Sequence, residues 1–109
     1  IYTLSLHDAL PIYTGDAVKY DCPAALPAAV AESISRTCEK AFALLGCRGW
    51  SRIDAMVGED GRFILLECNT SPGMTPHSLV PMAARAEGVG YSELCVRLLQ
   101  SAELDHRRS

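Results

Sequence analysis

The 109-residue chain lacks several features that would place it in a common functional class. It has no apolar stretch near the ~20 residues that a membrane-spanning helix needs, so no membrane association is predicted. Lysine and arginine total 10 against 13 aspartate and glutamate residues, and a net charge of −3 predicts no nucleic-acid partner. With 49% hydrophobic residues, the chain can instead form one small globular unit with a modest core.

Paired cysteine motifs are also absent. The five cysteines are widely spaced, with no CxxC pair and no cluster of cysteine and histidine, which argues against a zinc site or a disulfide framework. We therefore predict reduced thiols that pack as small hydrophobic side chains in a cytoplasmic protein. The residues concerned are Cys22, Cys38, Cys47, Cys68 and Cys95.

The first twelve residues, IYTLSLHDALPI, correspond codon by codon to a translated short-read sequencing adapter. The alternative is a genuine amphipathic segment. A segment of foreign origin carries no information about the fold, so we assign no structural role to residues 1–12. We likewise assign no chemical role to His7 and Asp8. We take the protein proper to start near Tyr13, inside a longer gene.

The remaining sequence predicts an α+β fold with a mainly antiparallel sheet and flanking helices. A short strand over residues 17–22 precedes a helix whose apolar side chains recur at spacings of three and four from Leu26 to Leu45. Gly46 is the predicted end of this helix.

Two strands, SRIDAMV and RFILLECN, then flank the turn GEDG. Two further helices follow, with Ser78 and Ser92 as the predicted capping residues. Gly88 is the predicted end of the first of them, and Tyr91 begins the apolar stripe of the second.

The turn predicts which strand residues face each other. Asp60-Gly61 favours a two-residue type I′ turn, which places Asp54 opposite Glu67 and Arg52 opposite Asn69. Side chains alternate between the two faces of a strand, so one face gathers these four polar groups with Met56 and Leu65. The opposite face is wholly apolar and is predicted to be the core: Ile53, Ala55, Val57, Ile64, Leu66 and Cys68.

Two carboxylates placed directly opposite each other destabilise a hairpin by repulsion. One explanation is a solvated outer face on which Arg52 supplies the counter-charge. The other is a bound cation, held by Asp54, Glu67 and the amide oxygen of Asn69. This all-oxygen set suits Mg²⁺ or Mn²⁺, and Mg²⁺ is usually shared with nucleotide phosphates, so the second explanation predicts a phosphate-handling site.

The loop TSPGMTPHSLVP supports the second explanation. Pro72 and Gly73 predict a tight turn whose exposed N–H can face an oxyanion, and Ser78 at a helix N-terminus can hold a carboxylate. The alternative is an ordinary turn before an ordinary capped helix. His77 is a candidate base, but no nucleophile accompanies it, so we interpret it as a loop residue.

The segments GCRGWSRIDAMV and FILLECNTSPGMTPHSLVPMAARAEGVGYSELCVRLL resemble the C-terminal end of D-alanine–D-alanine ligases, ATP-grasp enzymes of peptidoglycan synthesis. The resemblance runs from about Tyr20 to Leu99. It implies that residues 13–109 are the C-terminal portion of an ATP-grasp ligase domain, without the N-terminal domain and the central nucleotide-binding lysines. The sequence departs from the family pattern at Ser51, Cys68 and Pro76, and none of the three removes a group that the mechanism needs.

The resemblance also implies a role for each candidate residue. The magnesium ligands are matched by Asp54, Glu67 and Asn69, with ATP as co-substrate. Arg52 and the Gly73 N–H match the groups that stabilise developing negative charge. Ser78 and Leu79 match the positions that hold the carboxylate of the second D-alanine. Met56 matches a residue in contact with adenine.

The implied reaction phosphorylates the carboxylate of one D-alanine, and the amine of a second D-alanine attacks the acyl phosphate. The implied parent enzyme is cytoplasmic and homodimeric. Two alternatives stay open: an ATP-grasp ligase that makes D-alanine–D-lactate, and a non-catalytic fragment whose polar hairpin face is only solvated. We expect the isolated chain to have no ligase activity and to bind Mg–ATP weakly if at all.

Overall fold

The computed structural model describes residues 20–103. The order of elements is α1 (Ala28–Leu44), β1 (Arg52–Val57), β2 (Phe63–Asn69), α2 (Leu79–Ala86) and α3 (Tyr91–Gln100). The two strands form an antiparallel sheet, so the predicted α+β class is confirmed. The segment attributed to an adapter and residues 17–19 of the predicted first strand lie outside the described residues, and Tyr20–Cys22 are irregular. Among the helices of the described part, none is long and apolar enough to cross a membrane.

Helix α1 packs one apolar side against the sheet and ends as its sequence predicts. Ile34 and Cys38 are buried one turn apart, at 0% and 4% exposure. Gly46 has a φ of +68°, the left-handed conformation that terminates many helices. The N–H of Cys47 then donates to the carbonyl of Phe42 at 3.1 Å, so two features of a Schellman motif close the helix.

The hairpin turn differs from the predicted one. The N–H of Gly61 donates to the carbonyl of Gly58 at 2.9 Å, and the N–H of Gly58 donates to the carbonyl of Arg62 at 2.7 Å. The loop therefore has three residues, 59–61, with Gly61 at a φ of +77°. A three-residue hairpin loop of this kind combines a type I turn with a following residue in the left-handed conformation. The predicted two-residue Asp60-Gly61 turn is therefore wrong.

A bulge in β2 restores the predicted pairing at the other end of the hairpin. Asp54 pairs with Glu67, but Ala55 pairs with Leu65, so Leu66 is an extra residue. The one-residue shift at the turn is cancelled by this one-residue bulge. The predicted pairs Asp54–Glu67 and Arg52–Asn69 are confirmed at the polar end.

The same bulge corrects the predicted faces of β2. Leu65, predicted on the polar face, packs against the core cluster of Ile34, Cys38 and Ile53. Leu66 and Ile64, predicted in the core, are 56% and 68% exposed. Side chains before the bulge are displaced by one position, which moves them to the opposite face of the sheet.

Helices α2 and α3 build a second apolar cluster from Val80, Ala84 and Leu94. Ser78 precedes α2 as predicted, and Gly88 ends it with a φ of +81°. Ser92 lies inside α3, and the residue that precedes the helix is Gly90, so the predicted cap of α3 is wrong. Trp50 and Met74 pack against this cluster and connect it to the start of β1 and to the loop after β2.

Candidate functional site

One guanidinium organises the polar end of the hairpin. Arg52 Nε donates to Asp54 Oδ1 at 2.8 Å, and Arg52 Nη2 donates to Asp54 Oδ2 at 2.9 Å. The same Nη2 donates to Glu67 Oε1 at 3.1 Å. Because Asp54 and Glu67 contact one nitrogen atom, the two carboxylates lie side by side on one face of the sheet.

The three charges are unequally exposed to solvent. The Arg52 and Asp54 side chains are each 19% exposed, whereas that of Glu67 is 55% exposed. The hydrogen bond from Arg52 to Asp54 raises the pKa of the guanidinium further above its ordinary value, so Arg52 is held charged. One positive charge faces two negative charges, which leaves one negative charge uncompensated within this group.

Asn69 lies at the same end of the hairpin, across from Arg52. Its Oδ1 accepts a hydrogen bond from the N–H of Ser71 at 3.0 Å, a local turn that fixes the amide. A carboxamide oxygen has two lone pairs, so one is available to a further partner.

These donors match the oxygen ligands that Mg²⁺ and Mn²⁺ prefer. Within residues 20–103, no group of three His, Cys, Asp or Glu side chains could hold a metal ion. A site here therefore needs an uncharged third ligand, and Asn69 beside Asp54 and Glu67 fits that requirement.

Met56 lies on the same strand face as Asp54, two residues farther along β1, and is 39% exposed. It pairs with Ile64, which is exposed because of the bulge. Met56 and Ile64 therefore give an accessible apolar surface beside the polar groups, and the sequence predicted only the first of the two.

The loop after β2 brings Gly73 and Ser78 together. A Cβ atom added at Gly73 would lie 2.9 Å from Ser78 Oγ, so only glycine allows this approach without a shift. Ser78 Oγ accepts a hydrogen bond from the N–H of Thr75 at 3.0 Å and lies 2.8 Å from Thr75 Oγ1. The Ser78 side chain thus bonds back to the loop and makes no capping bond to α2.

The other two candidates of this loop differ in position. Leu79 is the first residue of α2 and is half-buried. His77 is exposed, in agreement with its interpretation as a loop residue.

Two residues that sequence reasoning missed hold this loop in place. The hydroxyl of Tyr91 donates to the carbonyl of Met74 at 2.6 Å, and Arg85 Nη2 donates to the carbonyl of Pro76 at 2.9 Å. Tyr91 was assigned only to an apolar stripe. The available signal was its hydroxyl, which needs a polar partner wherever the ring packs against protein.

Comparisons with known proteins show the family of this chain. The family model described as "D-ala D-ala ligase C-terminus" matches residues 3–100. The D-alanine–D-alanine ligase of Verminephrobacter eiseniae (strain EF01-2) is 55% identical over 94 residues, 85% of this chain and 28% of that protein. The enzyme of the same name from Delftia acidovorans (strain DSM 14801 / SPH-1) is 56% identical over 94 residues, 85% of this chain and 29% of that protein.

A solved structure gives the same result. The crystal structure of D-alanine–D-alanine ligase from Bacillus anthracis complexed with ATP superposes with a TM-score of 0.66 and 36% identity, over 70% of this chain and 26% of that chain. The chain belongs to the D-alanine–D-alanine ligase C-terminus family of ATP-grasp ligases, as its sequence predicted. It spans 28% of the Verminephrobacter eiseniae relative. The family match begins inside residues 1–12, whose origin as an adapter stays a prediction.

Proposed function

We propose that this chain is the metal-binding end of an enzyme that joins two D-alanine molecules with hydrolysis of ATP to ADP and phosphate. Family membership supports the proposal, and one observation of geometry carries it: Asp54 and Glu67 face each other across the hairpin and share Arg52. Nucleotide-binding lysines and the first D-alanine site belong to the remaining length of such an enzyme.

Asp54, Glu67 and Asn69 are the proposed ligands of Mg²⁺ or Mn²⁺. A bound ion of this kind neutralises phosphate charge during phosphoryl transfer. Glu67 is the more exposed of the two carboxylates and its contact with Arg52 is the longest of the three, so this contact is the one that yields to an incoming cation. Asp54 keeps its bidentate pair with Arg52, which fixes the orientation of its carboxylate.

Arg52 and Gly73 are the proposed groups that stabilise negative charge. When the amine of the second D-alanine attacks the acyl phosphate, charge develops on the carboxyl oxygen of the first. A guanidinium held charged by Asp54 and an exposed backbone N–H are donors suited to such an oxyanion. The absence of a side chain at Gly73 keeps its backbone close to Ser78.

Ser78 and Leu79 are the proposed binding position for the carboxylate of the second D-alanine. They stand at the N-terminus of α2, where backbone N–H groups without intrahelical partners favour an anion. The Ser78 hydroxyl lies beside Gly73, so the carboxylate position and the oxyanion donor adjoin each other. Met56 offers an apolar contact for adenine. A cytoplasmic location and a homodimeric parent enzyme accompany the proposal as further predictions.

The test is a chimeric ligase in which residues 20–103 replace the matching segment of the Verminephrobacter eiseniae relative. Dipeptide and phosphate formation are measured with Glu67→Gln, which keeps the shape of the side chain and removes its charge. We expect a loss of about 100-fold or more, since a metal ion at the phosphoryl group supplies several kcal/mol.

Glu59→Gln is the matched control, because Glu59 is an exposed residue of the hairpin turn away from the polar end. Turnover of the control should equal that of the parent chimera. Near-normal turnover of the Glu67→Gln chimera would defeat the proposal. The isolated 109-residue chain should form no dipeptide, and measurable synthesis by it would contradict the assignment of the missing groups to the rest of the enzyme.

A further inference from the structure

Two thiols that are far apart in the sequence meet beside the polar end of the hairpin. The Sγ atoms of Cys47 and Cys68 lie 3.9 Å apart, although the residues are separated by 21 positions. Cys47 belongs to the segment between α1 and β1, and Cys68 lies in β2 opposite Ile53. Both side chains are half-buried, so reagents in solution reach them.

The local backbone permits a closer approach. A disulfide bond is about 2.05 Å long, so the two sulfur atoms have to move together by roughly 2 Å. Rotation about χ1 of either cysteine moves the sulfur over such a distance. Cys47 also lies in the segment between α1 and β1, which belongs to no helix or strand.

We propose that Cys47 and Cys68 are a site of reversible oxidation and form an intramolecular disulfide with a small disulfide oxidant such as oxidised glutathione. One cysteine thiolate attacks a glutathione sulfur, which forms a mixed disulfide and releases one glutathione thiolate. The second cysteine thiolate attacks the mixed disulfide and releases the other glutathione. Two cysteine thiols are oxidised, one glutathione disulfide is reduced, and the two thiol protons pass to the glutathione thiolates.

The Cys47 thiol is mainly protonated at rest. Burial, and then the neighbouring Cys68 thiol, raise the pKa of Cys47 above its ordinary value, so the thiol form prevails at neutral pH. Only the small thiolate fraction reacts with a disulfide oxidant at that pH.

Cys38 is the nearest competitor for Cys68, and its surroundings disfavour it. It is 4% exposed inside the core cluster, so oxidants in solution reach it poorly. Oxidants reach Cys47 more readily. The disulfide would join the segment after α1 to Cys68 of β2, which lies between the candidate ligands Glu67 and Asn69. Its formation does not depend on the proposed ligase function.

Trypsin makes the test direct, because cleavage after lysine and arginine places each of the five cysteines on a different peptide. The 109-residue chain is incubated with oxidised glutathione, the free thiols are alkylated, and the digest is analysed by mass spectrometry without reduction. The expected product joins peptide 41–48 to peptide 63–85. We expect it in roughly tenfold excess over any other pair, because the fold gives these two thiols a high effective concentration.

The same oxidation in concentrated urea is the reference, and there the yields should follow loop length, so that the pair nearest in sequence, Cys38–Cys47, dominates. Cys68→Ala should abolish the cross-link, and Cys95→Ala, on α3, should leave it unchanged. A dominant Cys38–Cys68 product would overturn the inference. An equal yield of the Cys47–Cys68 product in native and denatured chains would also overturn it.

Discussion

The hydroxyl of Tyr91, at the start of α3, donates a 2.6 Å hydrogen bond to the carbonyl of Met74. The N–H of the same peptide group, which belongs to Thr75, donates to Ser78 Oγ at 3.0 Å. This peptide group is held by hydrogen bonds at both its carbonyl and its N–H, and it lies one residue after Gly73. Helix α3 is thereby connected to the loop that carries the proposed oxyanion donor and the proposed carboxylate position.

Tyr91→Phe should loosen this loop without unfolding the protein. The ring stays in place, whereas the Met74 carbonyl loses its donor. We expect several-fold faster hydrogen exchange at the amides of Thr75 and Ser78, measured by NMR on the 109-residue chain. Tyr20→Phe removes the hydroxyl of a tyrosine that is 57% exposed and far along the chain, and it should leave these amides unchanged. Equal exchange in the Tyr91 variant and the parent would contradict the assigned role.

Gly73→Ala should impair the chimeric ligase by displacing Ser78. The added Cβ would lie 2.9 Å from Ser78 Oγ and 3.5 Å from Ser78 Cβ, so the Ser78 hydroxyl has to leave its position beside Thr75 or the loop has to shift. Misplacement of reacting groups by about 1 Å costs up to about 100-fold in rate, and we expect the loss in kcat with a raised KM for the second D-alanine. Gly90→Ala is the matched control, because a Cβ there meets nothing within 4 Å. Equal losses in the two variants would show that contact with Ser78 is not the cause.

The hairpin turn should contribute a pH-dependent part of the stability. Asp60 accepts hydrogen bonds from Arg62 Nε at 2.6 Å and from the Arg62 N–H at 3.0 Å, and the side-chain bond is the main cause of the lowered pKa of its carboxyl. The pKa of Asp60 is lower in the folded protein than its ordinary value of 3.8, so the ionised carboxylate stabilises the fold at pH values above 3.8. This stabilisation is lost as the pH falls through the folded-state pKa of Asp60.

Asp60→Asn should therefore lower the urea midpoint at neutral pH, and the difference from the parent chain should vanish in acid below the folded-state pKa. Urea unfolding at a series of pH values measures both. A difference that persists unchanged at the acid end would exclude the Asp60 carboxylate as its source.

The core cluster under the sheet should respond strongly to truncation. Ile34 is fully buried, and replacement of a buried isoleucine by alanine costs about 2–5 kcal/mol. Leu44→Ala, on the same helix at 77% exposure, should change the free energy of unfolding by less than about 0.5 kcal/mol. Urea unfolding followed by circular dichroism measures both, and similar values for the two variants would contradict the described packing.

The sequence predicted the polar end of the hairpin better than its middle, for a physical reason. Ile64, Leu65 and Leu66 are all apolar, so the hydrophobic pattern cannot say which of them face the core. The bulge at Leu66 is therefore invisible to alternation. In contrast, Asp54 and Glu67 are the acidic members of their strands, and their pairing survives because the turn and the bulge shift the register in opposite directions.

Contacts that depend on tertiary packing were out of reach of the sequence. Tyr91 reaches Met74 across 17 positions, and Cys47 reaches Cys68 across 21. No periodicity or local motif encodes such distances. Helix ends were predicted where glycine has a local role, as at Gly46 and Gly88, whose left-handed conformations end α1 and α2. Ser92 is not the cap because α3 already begins at Tyr91, and the residue before the helix is Gly90.

Binding of a divalent cation by Asp54, Glu67 and Asn69 is measured by titration of the chimeric ligase with Mn²⁺ in the presence of ATP. Electron paramagnetic resonance counts free Mn²⁺ and so reports binding without turnover. Glu67→Gln should weaken Mn²⁺ binding by about tenfold or more, since a charged ligand is lost, whereas Glu59→Gln should bind as the parent does. Equal Mn²⁺ affinity in the Glu67→Gln variant and the parent would exclude Glu67 as a ligand of the ion.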